Sequence, residues 1–311
     1  MRMPTITWPD GKTFAFTIFD DTDFATVDNV GPVYRFLADC GMTITKSVWP
    51  TRGTREPICG GETCEDSAYL DWIYQLSRTG FEIGYHMATF HSSSREETLR
   101  GLDKFVDLFG SKRIVMANHS GCRENIYWGN HRLTGVNRFV YDLMTRFKFH
   151  GKYLGEVHED PHFWGDYCAD RITYVRNFVF SDINTLKACP WMPYHDPARP
   201  FVKQWFASSE GPRLDSFLET VSEANQDRLE KEGGACIMYA HLACGFFENG
   251  KVNARFNTLM ERLSRKDGWF VPVGTLLDHI RSQRGEHVLT DAERMSLERR
   301  WLLHKLRVGR S

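Results

Sequence analysis

The stretch that decides the fold is FAFTIFDDTD, from Phe14 to Asp23. Six apolar or β-branched residues run directly into Asp20 and Asp21. A short run of this composition is typical of a buried strand, and this one ends on charged side chains instead of a Gly- or Pro-containing turn. Asp23, just beyond, is expected to cap the following helix, because Asp is favoured at helix N-caps. The question is whether other strands end in the same way.

Similar short runs recur along the chain and alternate with amphipathic segments. Segments such as 67–80 and 95–110 end at Gly, as helices commonly do. Repeated strand–helix units predict a parallel sheet, and the absence of a Gly-rich phosphate loop favours a barrel over a nucleotide-binding sheet. Residues 155–200, rich in Pro, His, Trp and Asp, are predicted to form long loops at the barrel mouth. The predicted strands are 14–19, 44–49, 81–86, 113–119, 147–154, 176–182, 204–209, 235–241 and 268–274.

The composition is that of an ordinary globular protein. The 311 residues carry a formal net charge of −1, with 41% hydrophobic and 25% charged residues. This near-neutral balance argues against a nucleic-acid-binding protein. The N-terminal stretch lacks the apolar core of a signal peptide, and no window approaches ~18 consecutive apolar residues, so we expect a cytoplasmic location. The cysteines are expected to be free thiols, and Cys59 and Cys64 have no second pair at zinc-finger spacing.

Several predicted strands end on an acid or an imidazole. In a (β/α) barrel the C-terminal ends of the strands converge on one face, where active sites lie. A single His after a strand is more often structural, but several such residues at the same end predict a functional site. These residues are Asp20 with Asp21, His86, His119, Asp182 and His241.

The residue types suit metal-dependent hydrolysis. A catalytic divalent metal typically takes three protein ligands and keeps one position open. Asp21, His86 and His91 supply a carboxylate and two imidazoles, which suits one zinc ion, with cobalt, nickel or manganese as alternatives. A spacing of five does not fit one helix face, so His86 would end a strand and His91 would return from a loop. Asp20 is the predicted base, and His241 the predicted acid that protonates the leaving group.

At these residues the sequence resembles the polysaccharide deacetylase superfamily, carbohydrate esterase family 4. The stretch TIFDD is similar to the family's T-F-D-D motif, and the resemblance implies that Asp20 is the base and Asp21 a metal ligand. The stretch TGFEIGYH, residues 79–86, is similar to the strand before the family's His pair. The stretch IMYAH, residues 237–241, is similar to the strand that carries the catalytic His.

The resemblance extends over residues 12–281 and implies a distorted (β/α)7 barrel. We therefore expect residues 1–281 to form a single catalytic domain of the α/β class. Residues 282–311 are predicted to form a C-terminal basic amphipathic helix. That helix is expected to pack against the barrel or a second subunit, with contact to an anionic membrane surface as the alternative.

The chain also departs from the family's pattern. Its His pair is five residues apart instead of four. The third motif, R-x-P-x-G, is replaced by MANHSG, residues 116–121, and Arg123 is predicted to take over the contact of the motif's Arg with the catalytic Asp. The fourth, Asp-rich motif is not recognisable, and Asp182 is the candidate acid that orients His241. The residues predicted to bind substrate are His119, Arg123 and Asn125.

These features predict a metal-dependent amidohydrolase that acts on carbon–nitrogen bonds other than peptide bonds. The expected reaction is removal of an N-acyl group, acetyl in the simplest case, from a sugar or a sugar-linked intermediate in the cytosol. One alternative substrate is a small non-sugar amide, such as a formyl group or a cyclic ureide. Another alternative is a non-catalytic barrel that binds a glycan, and a homo-oligomer is compatible with each of these hypotheses.

Overall fold

The computed structural model describes residues 5–308. The strands in chain order are β1 (Phe14–Asp20), β2 (Thr45–Val48), β3 (Glu82–Tyr85), β4 (Val115–Met116), β5 (Tyr174–Phe180), β6 (Tyr194–His195), β7 (Gln204–Glu210), β8 (Ala235–Ala240), β9 (Phe247–Glu248), β10 (Lys251–Val252), β11 (Gly268–Phe270) and β12 (His287–Val288). The α-helices are α1 (Val27–Asp39), α2 (Ser67–Arg78), α3 (Arg95–Phe109), α4 (Gly135–Met144), α5 (Gly165–Arg171), α6 (Thr185–Ala188), α7 (Leu214–Thr220), α8 (Glu223–Glu232), α9 (Ala254–Ser264), α10 (Val273–Arg284) and α11 (Asp291–Val308).

Seven parallel strands close into a barrel surrounded by helices. Their order around the barrel is β1-β2-β3-β4-β5-β7-β8, and β8 pairs with β1 to complete the circle. Every residue of β1 is buried, as expected for a strand covered on both faces. β1 pairs along one edge with β8, and along the other with β2 near its end and with β11 near its start. The α/β class and the distorted (β/α)7 barrel are therefore confirmed.

The strand predicted at 147–154 is wrong, because these residues form turns instead of a strand. The alternation of Phe147, Phe149 and Tyr153 with polar residues imitates a half-buried strand in the sequence. In the structure, Arg146 and Phe147 have φ values of 51° and 59°, and Gly151 has 62°. Such left-handed conformations interrupt an extended backbone. The segment follows α4 and brings its aromatic and basic side chains to the mouth of the barrel.

Residues 155–200 are mainly loops, as expected, interrupted by the barrel strand β5 and by the short helices α5 and α6. β6 lies in this region, pairs antiparallel with β7, and is joined on its other side by β12. These small strands extend the sheet beyond the closed barrel. They lead the chain towards α11.

The C-terminal helix α11 packs on the outside of the barrel. Its Trp301 is completely buried, with its ring centroid 5.3 Å from that of Phe178 in β5 and 5.5 Å from that of Tyr141 in α4. Residues 309–311 of the predicted tail lie outside the described part of the chain. Among residues 5–308, no helix combines the length and apolar character needed to cross a membrane.

Candidate active site

The ends of four barrel strands bring a group of ionisable side chains together. Asp21 and Asp23 follow β1, His86 follows β3, His119 lies in the loop after β4, and His241 follows β8. The first four are buried, and His241 is partly buried. The convergence follows from the parallel barrel, in which all C-terminal strand ends lie at the same face.

Asp23 is the centre of this group. Its Oδ1 lies 3.0 Å from His119 Nδ1, and its Oδ2 lies 2.7 Å from His241 Nε2 and 3.6 Å from His86 Nε2. The Sγ of Cys59 also lies 3.0 Å from Asp23 Oδ1, and 3.8 Å from His119 Nε2. A carboxylate that approaches three imidazoles and a thiol is not the helix cap expected from the sequence. The N-cap of α1 is Thr26, whose side chain accepts from the Asn29 amide.

His86 is buried in surroundings that suit a metal ligand. It is 1% exposed, and neither of its ring nitrogens has a hydrogen-bond partner among the described residues. Its Nε2 faces Asp23 at 3.6 Å and Asp21 Oδ2 at 3.9 Å. Buried imidazole nitrogens are normally hydrogen-bonded or metal-bound, so this ring leaves room for a ligand atom or cation.

Two overlapping sets of side chains have the spacing of metal ligands. One set is Asp21, Asp23 and His86, and the other is Asp23, Cys59 and His119, with the donor atoms of each set within 4.8 Å of one another. Carboxylate, imidazole and thiolate donors suit zinc and similar first-row metals. The side chains therefore fit a divalent metal, with Asp23 common to both sets.

The proximity of these groups shifts their proton affinities. Burial alone would raise the pKa of Asp23, but the imidazoles of His241 and His86 hold it well below its usual value. Burial and the neighbouring His86 lower the pKa of His119 to about 4. Burial would lower the pKa of His241, but its contact with Asp23 prevails and raises it. These shifts favour a neutral His119 and an ionised Asp23, and they favour the protonated form of His241 more than in a free imidazole.

A buried guanidinium pairs with Asp21, but it belongs to Arg176 and not to Arg123, which was predicted to contact the catalytic Asp. Arg176 projects from β5, donates to Asp21 Oδ1 at 2.8 Å and to Asp21 Oδ2 at 2.5 Å, and is buried with that carboxylate. Its guanidinium also lies 4.1 Å from the centre of the Tyr239 ring. A bidentate pair of this kind fixes the orientation of the carboxylate. An Arg inside the apolar run YVRNFVF was the signal in the sequence, because a charge buried in a strand needs a partner.

Asp20, the predicted base, lies outside both sets of potential ligands. Its Oδ1 accepts from the backbone amide of Leu242 at 2.8 Å. Its Oδ2 accepts from the Tyr34 hydroxyl at 2.8 Å and lies 3.1 Å from Lys46 Nζ. Both charged side chains of this pair are 0% exposed. Consecutive residues of a strand point to opposite faces, so Asp20 and Asp21 diverge into different surroundings.

His91, the predicted third ligand, is not brought to the group. Its Nε2 accepts from the Thr54 backbone amide at 3.0 Å, and its Nδ1 donates to the Ser92 carbonyl at 2.9 Å. Its ring also packs closely against Gly53, where an added Cβ would lie 2.4 Å from Nε2. With its acceptor nitrogen already occupied, His91 serves to hold two loops together.

Asp182 does not orient His241. Its Oδ1 accepts from Arg228 Nη1 at 2.9 Å and from the Asn184 amide at 2.9 Å. The Nδ1 of His241 instead donates to the carbonyl of Pro212 at 2.8 Å. His241 is therefore oriented by a backbone oxygen on one side and by Asp23 on the other.

The three residues predicted to bind substrate have different surroundings. His119 belongs to the central group described above. Arg123 is exposed; its amide donates to Ser92 Oγ at 3.0 Å, and its carbonyl accepts from the Leu154 amide at 2.7 Å. Asn125 is buried and donates from Nδ2 to the His119 carbonyl at 2.6 Å. Asn125 thus positions the loop that carries His119.

Comparisons with known proteins identify the fold. No protein-family model matches the chain, and no curated protein matches it. Its structure is similar to that of a "putative polysaccharide deacetylase" from Mycobacterium smegmatis, with a TM-score of 0.50 and 14% identity, over 93% of this chain and 99% of that one. The peptidoglycan deacetylase PdaC from Bacillus subtilis is also similar, with a TM-score of 0.40 and 14% identity, over 94% of this chain and 98% of that one. At such low identity, the first of these similarities shows that the chain shares the fold of the family it resembles in sequence.

Proposed function

We propose that the protein is a metal-dependent hydrolase that removes an N-acyl group from a sugar or a sugar-linked intermediate. The observation that carries this proposal is the buried group around Asp23, in which neither ring nitrogen of His86 has a hydrogen-bond partner among residues 5–308. A polar group of this size is unfavourable to bury unless something compensates it. A divalent cation at the C-terminal face of the barrel would do so.

The metal ligands in this proposal are Asp23, His86 and His119. These three supply one carboxylate and two imidazoles, the same donor types as the set predicted from the sequence, Asp21, His86 and His91. When bound, the metal supplies Lewis-acid chemistry, which polarises the acyl carbonyl and lowers the pKa of water to roughly 7. Asp21 is less suited to be a ligand because Arg176 already engages both of its oxygens.

Asp21 is instead the proposed base. The guanidinium of Arg176 fixes its carboxylate beside the ligands, with Oδ2 3.9 Å from His86 Nε2. From there it can accept a proton from the attacking water. The resemblance described above supports the assignment, because its third-motif Arg contacts the base, and here Arg176 makes that contact. The roles proposed from sequence for Asp20 and Asp21 thus move to Asp21 and Asp23.

His241 is the proposed acid. Its ring is held between two hydrogen-bond acceptors, the Pro212 carbonyl and the Asp23 carboxylate. Both ring nitrogens therefore face an acceptor, which favours a proton on each of them. It is more accessible than the ligands, with 17% of its side chain exposed. When substrate enters, the Nε2 proton can be passed to the departing amine, which leaves as a neutral group.

The test combines metal analysis with an activity screen. Purified protein should hold about one divalent ion per chain, and chelation should abolish the release of acetate from N-acetylated sugars, with recovery after zinc, cobalt, nickel or manganese is added. A parallel panel of formyl amides and cyclic ureides covers the non-sugar substrates. A protein that binds a glycan tightly and holds no metal after metal loading would instead be the non-catalytic barrel.

A further inference from the structure

A cavity of about 400 Å³ adjoins the proposed site. Its wall includes Arg176, which holds Asp21, and Tyr239, whose hydroxyl lies 3.4 Å from His241 Nε2. Its volume falls within the roughly 300–1,000 Å³ typical of small-molecule sites. Aromatic and basic side chains form much of the remaining wall, beside small and neutral ones; they include Trp128, Arg132, Lys148, Phe149, Lys152 and Tyr153.

Arg132 is a buried cation in this wall that has no carboxylate partner among the described residues. It is 3% exposed, and its guanidinium lies 3.2 Å from the centre of the Trp128 ring and 5.4 Å from that of Trp301. Within residues 5–308 it forms no ion pair with a carboxylate, and its Nε has no hydrogen-bond partner. Burial lowers the pKa of Arg132 to about 9, because the charged guanidinium loses its hydration there.

Other buried arginines of the protein are neutralised, which makes Arg132 distinctive. Arg176 pairs with Asp21, and Arg199 pairs with Asp196 and Glu298. A buried guanidinium is normally paired because the loss of its hydration is otherwise unfavourable. A cation stacked on Trp128 that faces a cavity is therefore suited to a charged ligand from solution.

Lys148 and Lys152 add two further positive charges at the same cavity. Their Nζ atoms lie 5.6 Å and 5.8 Å from the centre of the Phe149 ring. In the described part of the chain, neither lysine pairs with an acid, and the residues that line the cavity include no Asp or Glu. Besides Arg176, which pairs with Asp21, the cavity therefore presents three cations that form no ion pair within residues 5–308, together with aromatic walls.

We propose that this cavity binds a phosphate group carried by the N-acyl substrate, with Arg132, Lys148 and Lys152 as its counter-charges. This inference rests on the proposed function, and it narrows the substrate to an N-acylated sugar joined to phosphate or diphosphate. Three cations fit a group with more than one negative charge better than they fit a single carboxylate. The rings of Trp128, Phe149 and Tyr153 provide flat apolar surfaces for the sugar.

Binding of glucose 1-phosphate tests the site without any need for catalysis. This probe has no amide, so it cannot be deacylated, and glucose and inorganic phosphate are its two comparison ligands. Calorimetry on the metal-loaded protein should detect glucose 1-phosphate and no glucose. Binding should weaken roughly tenfold or more in the Lys148→Gln/Lys152→Gln double variant and in Arg132→Gln, because charge-assisted hydrogen bonds are lost. Lys251→Gln, an exposed lysine on β10, is the charge-matched control and should bind like the wild type.

The outcomes separate this inference from the proposed function. If glucose 1-phosphate fails to bind, the phosphate site is overturned. It is also overturned if glucose 1-phosphate binds the double variant as tightly as the wild type, because the anion would then bind elsewhere, for example at the metal. If inorganic phosphate alone shows the variant-dependent binding, the sugar-linked assignment is overturned. If binding behaves as expected while no N-acetylated sugar phosphate is hydrolysed, the proposed function fails and the anion site stands.

Discussion

At the scale of single residues, Asp20, Asp21 and Asp23 are close in sequence but have different partners. Asp20 pairs with Lys46 beneath the site, Asp21 pairs with Arg176 beside it, and Asp23 approaches three imidazoles. The alternation of side chains along β1 separates the first two, and the turn after the strand carries the third inward. One substitution at each position can therefore distinguish stability, proton transfer and metal binding.

Asp21→Asn and Asp23→Asn should fail in different ways. Asp21→Asn keeps the shape of the base and removes its proton affinity, so the catalytic rate should fall by roughly 10²–10⁴ while metal content is retained. Asp23→Asn removes the carboxylate common to both ligand sets, so the metal should be lost. Metal content and rate are measured on the same preparations. Full metal in Asp23→Asn, with metal lost in Asp21→Asn, would return Asp21 to the ligand role predicted from sequence.

Asp20→Asn should act mainly on stability. It leaves the fully buried Lys46 without its counter-charge, which is expected to lower the free energy of unfolding by about 3–5 kcal/mol. Denaturant unfolding measures the change, with the exposed Asp39→Asn at the end of α1 as control. Wild-type stability in Asp20→Asn, combined with a lost rate and retained metal, would identify Asp20 as the base after all.

The loss of rate caused by His241→Gln should depend on the leaving group of the substrate. The variant removes the acid, so hydrolysis of an amide should slow by roughly 10²–10⁴. An activated aryl ester, whose leaving group needs no proton, should lose much less. Both rates are compared together with the melting temperature. Equal losses on both substrates, with a lower melting temperature, would assign His241 a structural role only.

For the strands and loops, the sequence predicts which strands end on polar residues better than it predicts the directions of those side chains. Asp21, His86, His119 and His241 were located because strand ends of a parallel barrel share one face. Asp182 also follows a strand, yet it turns outward to Arg228 of α8, since the loop after β5 leads away from the site. Such turns depend on loop packing, which the periodicity of a sequence does not encode.

The loop after β3 shows the same limit. His86 was predicted from its strand, but the return of His91 depended on the path of the loop. Met87 has a φ of 67°, and the following turn directs the His91 ring to the Thr54 amide instead of the site. The loop after β4 instead brings His119, predicted from the sequence to bind substrate, to within 3.0 Å of Asp23. The sequence could predict that acids and imidazoles meet at the strand ends, but which of these side chains come together depends on the paths of the loops.

Helix α11 is tied to the barrel through a buried carboxylate. Glu298 accepts from Arg199 Nη2 at 2.8 Å and from Asn137 Nδ2 at 2.9 Å, and it is completely buried. Glu298→Ala should lower the free energy of unfolding by about 3–5 kcal/mol, because it leaves buried donors without acceptors. Arg299→Ala, exposed on the same helix, should change it by less than about 0.5 kcal/mol. Similar effects of the two substitutions would show that the contacts of Glu298 contribute little to stability.

At the scale of the whole molecule, charge is arranged in layers at one end of the barrel. The Asp20–Lys46 pair lies at the floor, the Asp23 group lies at the strand ends, and the cavity with Arg132 lies beside them. The floor is neutral, the proposed ligand set carries the negative charge that a metal would balance, and the cavity is positive. This order suits a substrate whose amide approaches the metal while an anionic group remains at a distance from the carboxylates.

Outside this arrangement, Glu124 makes stability depend on pH. Burial raises the pKa of this carboxyl group from 4.5 to about 7, although backbone amide groups of Glu124 and Ser93 oppose the shift in part. Because the folded-state pKa lies above the unfolded value, the unfolded chain releases this proton first as the pH rises. The contribution of Glu124 to stability therefore falls from about pH 4.5 and is fully lost above about pH 7.

Glu124→Gln should remove this pH dependence, since Gln has nearly the same shape and no charge. We expect the variant and the wild type to have similar free energies of unfolding near pH 4.5. Above pH 7 the variant should be more stable than the wild type, by on the order of 3 kcal/mol. The reason is that folding of the wild type must then either bury the charged carboxylate of Glu124 or protonate it at a pH at which it is normally ionised. Denaturant unfolding from pH 4.5 to pH 8 measures the difference, with the exposed Glu159→Gln as control. A difference that is constant across this range would mean that Glu124 keeps an ordinary pKa in the folded protein, and that its surroundings admit water.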